Sequence, residues 1–136
     1  MLYRFPQKVL FKHCDPAGIA FYPRLFDMIN DAVEAMFADV LKWPFETMHP
    51  DYGVPTARFD IRFQRPCRHG DVLDLQLRPL ALGATSLRLE TRAHCDGSDR
   101  FIADQTIVCV GTGGKPTQWP ASVRATLSRT MKEKQN

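Results

Sequence analysis

The chain has 136 residues, of which 44% are hydrophobic and 24% charged, and its formal net charge is +3. These values are typical of one soluble domain over residues 1–136, large enough to bury a single core. So mild a positive charge excludes the strongly basic nucleic-acid-binding class, and no apolar run approaches the roughly 20 residues of a membrane helix.

The first segment and the cysteines favour a cytoplasmic protein. Charged residues and a proline interrupt the first segment, which therefore does not resemble a secretory signal. The four cysteines are scattered and form no C-x-x-C pair. This pattern favours reduced thiols over a zinc site or a disulfide framework.

The first half of the chain predicts a strand, a turn and one long helix. Residues 5–12 have the apolar content of a strand, and residues 13–18 carry turn chemistry in which Gly18 can adopt a positive φ. From residue 22 to about 41, apolar side chains recur every three or four positions, which predicts an amphipathic helix. Pro44 ends this helix, and a loop follows.

The second half predicts four strands and a short closing helix. Apolar and polar residues alternate over 58–64, 73–78 and 87–92, whereas residues 101–110 end in a nearly continuous apolar run typical of a central strand. Short connections join these strands, so each is expected to pair with its sequence neighbour in a meander. Apolar spacing beyond residue 120 predicts a helix, followed by a frayed tail.

The order of these elements predicts an α+β fold, with one long helix wrapped by a five-stranded antiparallel sheet. A curved sheet buries the whole apolar stripe of the helix. Because an open sheet leaves unpaired edges, the pattern also favours pairing with a second copy of the chain.

Asp15 is the strongest candidate for a catalytic side chain. It precedes a Pro-Ala-Gly turn that leads into the long helix, whose first amides lack internal partners and carry partial positive charge. Amides near Phe21 and Tyr22 are thus placed to hold a carbonyl oxygen as charge develops on it, while Asp15 attacks the carbonyl carbon or activates a water. The alternative is that Asp15 only caps its own turn.

The neighbours of Asp15 allow several interpretations. On an extended segment His13 and Asp15 share one face and Cys14 points to the other, so Cys14 is expected to be a packed thiol. His13 either tunes Asp15, contacts the ligand or is structural. A metal site is not predicted, because no second His/Cys cluster lies at ligand spacing. The remaining histidines are expected to be solvated: His49, His69 and His94.

The stretch HCDPAGIAFYPR at residues 13–24, followed by Phe26 and Asn30, resembles the 4-hydroxybenzoyl-CoA thioesterase family, which has the hotdog fold. The likeness covers nearly the whole chain. It continues in three further segments, which are GVPT at 53–56, PCRHGDVL at 66–73 and LGATS at 82–86.

The resemblance implies that Asp15 is the catalytic carboxylate, acting as nucleophile or general base on a thioester of coenzyme A. It implies that the Tyr22 amide polarises the thioester carbonyl. The active site is expected between two subunits of a homodimer, which often pairs into a tetramer. No metal or redox cofactor is needed, since coenzyme A is part of the substrate. The residues expected to bind substrate are His13, Gly18, Phe21, Phe26 and Asn30.

Asn30 departs from the family branch that reads a phenol hydroxyl with an aspartate. An amide either hydrogen-bonds a hydroxyl or is inert there. The acyl group therefore stays open among benzoyl, hydroxybenzoyl, other aryl groups and medium aliphatic chains.

The role of six arginines is also left open by the sequence. Those on the polar alternation of strands or beside a turn are either solvated or placed to hold the coenzyme phosphates. They are Arg58, Arg62, Arg65, Arg68, Arg88 and Arg92.

Two other functional classes remain as alternatives. A hotdog hydratase or dehydratase ordinarily needs a histidine paired with a carboxylate, and here the nearby His13 precedes Asp15. A non-enzymatic acyl-CoA or acyl-carrier binding module would bind the same ligands without turnover.

Overall fold

The computed structural model describes residues 1–133. Five strands and three α-helices follow one another in the order β1, α1, α2, β2, β3, β4, β5, α3. The frayed end of the tail predicted from the sequence falls at residues 134–136, outside the described residues. The elements are β1 (Tyr3–Lys8), α1 (Tyr22–Asp39), α2 (Phe45–Met48), β2 (Thr56–Phe63), β3 (Val72–Leu82), β4 (Ser86–Cys95), β5 (Ser98–Val108) and α3 (Ala121–Met131).

The strands form one antiparallel sheet in the order β1-β3-β4-β5-β2. The expectation that all four later strands form a simple meander is wrong for β2, which pairs with β5 instead of β3. The connection at residues 64–71 is too long for a tight hairpin. The amides of Gln64 and Arg65 bond the carbonyl of Arg100 near the start of β5, so this connection crosses the end of the sheet. The last strand was predicted to be central, and β5 is indeed paired on both sides. The middle strand of the five is β4.

A tight hairpin joins β4 to β5, and these two strands pair as sequence neighbours, as predicted. Asp96 and Gly97 form a two-residue turn with φ of 51° and 78°. Positive φ at both central residues is typical of a type I′ turn, whose twist matches that of the strands it joins.

Helix α1 buries the predicted apolar stripe against the sheet. It ends at Asp39, two residues before the expected end. Complete burial contributes about 1.5–3 kcal/mol for each large apolar side chain. The buried residues of the helix are Leu25, Met28, Ile29, Ala32, Val33, Met36 and Phe37.

Two local elements differ from prediction. The first strand ends at Lys8, and residues 11–13 form a turn of 3-10 helix in which His13 is buried. The short helix α2 occupies a segment that was expected to be a loop, and it buries Met48 against the core. The closing helix α3 is confirmed, with Val123 and Leu127 buried.

The four cysteines are free thiols, as predicted. Cys14 is only half-buried, whereas Cys67, Cys95 and Cys109 are buried. In the described part of the chain no helix combines the length and apolarity that a membrane span requires.

Candidate active site

The candidate site is built on a closed turn between the first strand and α1. The Asp15 amide donates to the Ile19 carbonyl at 3.0 Å, and the Phe21 amide donates to the His13 carbonyl at 2.8 Å. Gly18 has a φ of 79°, which an L side chain rarely adopts. The turn therefore places Asp15 and the first residue of α1 on one compact, internally bonded unit.

Asp15 is half-buried and partly engaged by its own turn. Its Oδ1 accepts the Ala17 amide at 2.9 Å, so the capping role considered above does occur. The second oxygen, Oδ2, has no hydrogen-bond partner among the described residues. One carboxylate oxygen thus positions the side chain while the other stays available for chemistry.

Tyr22 presents a free amide at the start of α1. The neighbouring groups cannot serve in its place, because the Phe21 amide bonds His13, Pro23 has no N–H, and the Arg24 amide bonds the Phe21 carbonyl at 2.8 Å. Among the described residues the Tyr22 N–H has no acceptor. Of the two amides predicted to hold a carbonyl oxygen, the one on Tyr22 is available and the one on Phe21 is not.

A supporting loop at residues 64–71 holds the turn from behind. The Ala20 amide donates to the Cys67 carbonyl at 2.7 Å, and the His69 amide donates to the Gly18 carbonyl at 3.0 Å. The loop is fixed in turn by Asp71, whose Oδ2 accepts the Arg68 amide at 2.9 Å and Arg100 Nη1 at 2.6 Å. Burial alone would raise the pKa of Asp71, but these two donors lower it below its ordinary value.

His13 does not share a face with Asp15, contrary to the expectation for an extended segment. The 3-10 turn rotates its ring into the protein, where Nδ1 accepts the Leu10 amide at 2.9 Å. Burial, together with the charges of Lys12 and Arg24, lowers the pKa of His13. The ring is therefore a neutral structural acceptor that also lines a small cavity beside Arg24.

Aromatic side chains follow the groove between α1 and β2. Tyr22 makes edge contacts with Phe21 at 5.4 Å and with Phe63 at 6.2 Å between ring centroids. Phe26 makes an edge contact with Phe59 at 4.9 Å. Phe21, Tyr22 and Phe63 are each about half exposed, at 49%, 58% and 51%. This patch lies beside the unpaired edge of β2.

The predicted binding residues Phe26 and Asn30 line one cavity of about 300 Å³ farther along α1. Phe26 is half-buried and Asn30 is exposed in the single chain. The opposite wall comes from the sheet, where Thr56 and Gln105 line the cavity. The structure thus groups Phe26 with Asn30, whereas His13 and Gly18 lie on the turn.

Several arginines are already engaged on the outer face of the sheet. Arg88 makes a forked pair with Asp104, with Nε at 3.0 Å and 3.1 Å from the two oxygens. Arg92 lies 2.6 Å from Asp99. Arg65 instead lines a cavity of about 310 Å³ beside Tyr22 and has no ion pair in the described residues.

The remaining histidines divide into two cases. His49 and His69 are exposed, as predicted. His94 is half-buried and its Nδ1 lies 2.9 Å from Asp99, so the expectation that it is only solvated is wrong.

One group of acidic and thiol side chains could hold a cation. Ligand atoms of Asp71, Cys95 and Asp96 lie within 4.8 Å of one another. The guanidinium of Arg100 already occupies this position, at 2.6 Å from Asp71 and 3.9 Å from Asp96. The group thus binds the side chain of Arg100, which supplies the positive charge at this position.

Sequence reasoning missed Gln105 and Arg100. Both are buried polar residues in β5, exposed by only 5% and 9%. For Gln105 the available signal was a polar residue on the apolar alternation of a strand, since a buried polar side chain ordinarily needs a specific partner. Arg100 lies on the other alternation of β5 and carried no such signal.

Comparisons with known proteins identify the family and the fold of the chain. Residues 9–127 match the profile of the Thioesterase-like superfamily. The chain is 30% identical over 93 residues to 1,4-dihydroxy-2-naphthoyl-CoA hydrolase of Synechococcus elongatus, and the alignment covers 66% of this chain and 68% of that relative.

Solved structures show the same fold. A 1,4-dihydroxy-2-naphthoyl-CoA thioesterase from Synechocystis superposes with a TM-score of 0.86 at 16% identity, covering 94% of this chain and 96% of the other. A gentisyl-coenzyme A thioesterase superposes with a TM-score of 0.80 at 24% identity, covering 91% and 99%. Because the profile spans most of the sequence and the fold agrees over nearly its full length, the chain belongs to the thioesterase-like superfamily and has the hotdog fold.

Proposed function

We propose that this chain hydrolyses the thioester of an aromatic acyl-CoA, with Asp15 as nucleophile or general base and the Tyr22 amide as the donor to the carbonyl oxygen. The observation that carries the proposal is the combination of a free amide at the start of α1 with a carboxylate oxygen left unpaired on the adjoining turn. A preorganised donor aimed at a developing oxyanion is commonly the largest single contribution to acyl-transfer catalysis.

The reaction can proceed in either of two ways from this arrangement. As a nucleophile, Asp15 adds to the thioester carbon and expels the coenzyme A thiolate, which takes up a proton, and water then cleaves the mixed anhydride. As a base, Asp15 accepts a proton from the water that attacks the same carbon. In both cases the products are a carboxylic acid and free coenzyme A. Neither route requires a metal or redox cofactor.

An aromatic acyl group is supported by two kinds of observation. The relative from Synechococcus elongatus and the neighbour from Synechocystis carry the name of a dihydroxynaphthoyl substrate, and the other solved neighbour carries that of gentisyl-CoA. In this chain the cavity along α1 has Phe26 and Phe59 in its walls, which suits a flat ring. Arg65, beside Tyr22, is available to hold a coenzyme phosphate.

We infer that the working unit is a homodimer joined at β2, with further pairing into a tetramer. β2 is an edge strand with an unpaired ladder, and the half-exposed rings of Phe21, Tyr22 and Phe63 lie beside it. A second copy would extend the sheet and cover these rings, enclosing the groove that holds the Tyr22 amide. We place this enzyme in the cytoplasm, where its substrates carry coenzyme A.

The dimer is tested by replacing Phe63 with aspartate and measuring mass by light scattering. The expected result is a shift to monomer together with loss of hydrolysis. A parent protein that is monomeric at micromolar concentration and fully active would contradict the dimer.

The activity is tested with a panel of acyl-CoA thioesters and a free-thiol readout. Benzoyl-CoA, 4-hydroxybenzoyl-CoA, gentisyl-CoA and 1,4-dihydroxy-2-naphthoyl-CoA are compared with octanoyl-CoA and an enoyl-CoA. We expect hydrolysis of the aromatic members and faster turnover than with octanoyl-CoA. Tight binding without thiol release across the panel would instead identify a binding module, and hydration of the enoyl group would identify a hydratase.

A further inference from the structure

Gln105 is a polar residue on the core-facing side of β5. Its neighbours on the same alternation are Phe101, Ala103 and Ile107, all buried. Gln105 itself is only 5% exposed. A long polar side chain at such a position loses its hydration and must be compensated by hydrogen bonds.

That compensation is incomplete within the chain. The Gln105 Nε2 donates to Thr56 Oγ1 at 2.7 Å, which fixes the amide against the wall of the cavity. The other end, Oε1, is buried and has no hydrogen-bond partner among the described residues. A buried acceptor without a donor is destabilising, so its retention needs a reason outside the packing of the core.

The surroundings of Gln105 define the shape of a ligand. The cavity of about 300 Å³ lies between α1 and the sheet, with Phe26 and Phe59 in edge contact at 4.9 Å and Asn30 also on its wall. Phe59 is the cross-strand partner of Gln105 in the sheet. An apolar cavity of about 150 Å³ is enough for benzene, so this one has room for one ring or two fused rings with substituents.

We propose that Gln105 determines the specificity of the site for hydroxylated aryl groups, with a hydroxyl on the ring donating a hydrogen bond to Oε1. The inference rests on the proposed function, since it assigns the acyl part of the same substrate. A buried and otherwise unpaired acceptor strengthens the binding of a ligand that carries a hydrogen-bond donor. It discriminates against the same ring without one, because the carbonyl oxygen then stays unpaired.

The experiment compares kcat/KM for 4-hydroxybenzoyl-CoA, gentisyl-CoA and benzoyl-CoA in the parent and in Gln105→Leu. The parent is expected to prefer at least one hydroxylated substrate over benzoyl-CoA by roughly 10- to 100-fold. Gln105→Leu is expected to bring that ratio close to one. Because the variant removes an unpaired buried acceptor, its melting temperature is expected to rise by about 2–6 °C.

Thr91 supplies the matched control. It is a buried polar residue on the neighbouring strand β4, its Oγ1 also lacks a partner, and it does not line the cavity. Thr91→Val should change stability without changing the ratio. Gln105→Met serves as the second variant should Gln105→Leu misfold, and the ratio is expected to collapse in it as well.

Two results would overturn the proposal. One is a parent that hydrolyses benzoyl-CoA as efficiently as every hydroxylated member. The other is a Gln105→Leu variant that keeps the parent ratio. A parent that hydrolyses no acyl-CoA refutes the proposed function instead. In that event, binding of 4-hydroxybenzoate and of benzoate is measured by thermal shift in the parent and in Gln105→Leu. A preference for 4-hydroxybenzoate in the parent that is lost in the variant supports the role of Gln105, and equal binding in the parent refutes it.

Discussion

Arg100 lies 2.6 Å from Asp71, and this ion pair connects the start of β5 to the loop behind the turn that carries Asp15. Arg100 also donates to the Pro66 carbonyl at 3.0 Å. Through this loop the pair reaches the Gly18 carbonyl and the Ala20 amide. A single buried guanidinium thus supports the geometry of Asp15 from the opposite side of the loop.

Replacing Arg100 by methionine should lower both stability and activity. Asp71 would be left partly buried without its partner, which costs about 3 kcal/mol in the free energy of unfolding. Urea denaturation measures this loss, and kcat/KM should fall at a temperature where the variant is still folded. Arg92→Met is the matched control, since Arg92 also lies 2.6 Å from Asp99 but is more exposed. It should cost less than about 1 kcal/mol and leave kcat/KM intact.

The ion pair between Asp71 and Arg100 should make the fold less stable in acid. The pKa of Asp71 is lowered in the folded protein, so the pair stabilises the fold above the ordinary carboxyl range near pH 4. This stabilisation is lost as the pH falls below that range. Urea midpoints between pH 6 and pH 3 should therefore fall less steeply in Arg100→Met than in the parent. Equal slopes would show that the pair does not titrate in this way.

Asp15→Asn should remove most hydrolysis while keeping the fold. The amide Oδ1 can still accept the Ala17 N–H, so the free energy of unfolding should change by less than about 0.5 kcal/mol. The carboxylate is lost, and kcat/KM on the best aromatic substrate should fall by a factor on the order of 100 or more. Asp15→Ala also loses the turn hydrogen bond and should cost about 1 kcal/mol more. Hydrolysis by Asp15→Asn at the parent rate would exclude Asp15 as nucleophile and base.

Gly18 and Gly97 allow backbone strain to be separated from function. Their φ values are 79° and 78°, and nothing lies within 4 Å of an added Cβ at either position. Alanine at each should therefore cost about 1 kcal/mol through conformation alone. Only Gly18→Ala should also lower kcat/KM, because that turn carries Asp15. The expected difference is at least about tenfold at matched stability, and equal activities would mean that the turn tolerates distortion.

His13 should make the fold sensitive to mild acid. Its pKa is lowered by burial and by the charges of Lys12 and Arg24. The neutral ring therefore stabilises the fold above about pH 6.5, and this stabilisation is lost as the pH falls below that value. His13→Asn offers Oδ1 as an acceptor for the Leu10 amide without titrating. It should show a flatter dependence of unfolding free energy between pH 7 and pH 5 than the parent. His13→Ala, which offers no acceptor and does not titrate, should be less stable than His13→Asn by about 1 kcal/mol at every pH.

The sequence alone determined most of the local elements and the turn that carries Asp15. Apolar spacing over α1 and the alternation of β3 and β4 report which face of each element is buried, because their periods follow directly from backbone geometry. Proline and glycine restrict backbone angles within a few residues, so the turn at Asp15 and the hairpin at Gly97 were also readable. The motif around Asp15 carried the resemblance to the 4-hydroxybenzoyl-CoA thioesterase family.

Only the tertiary structure decided how distant segments meet. It places β2 beside β5, brings Asp71 to Arg100 across 29 residues, and brings Thr56 to Gln105 across 49. It also shows that His13 turns inward and that the Tyr22 amide, of the two candidates, is free. Local propensity carries no information about such pairings, since they depend on which packing leaves the fewest buried polar groups without a partner. The Oε1 of Gln105 is one of the few buried polar atoms in the described residues that this packing leaves without a partner, and it is the one that we assign to a ligand.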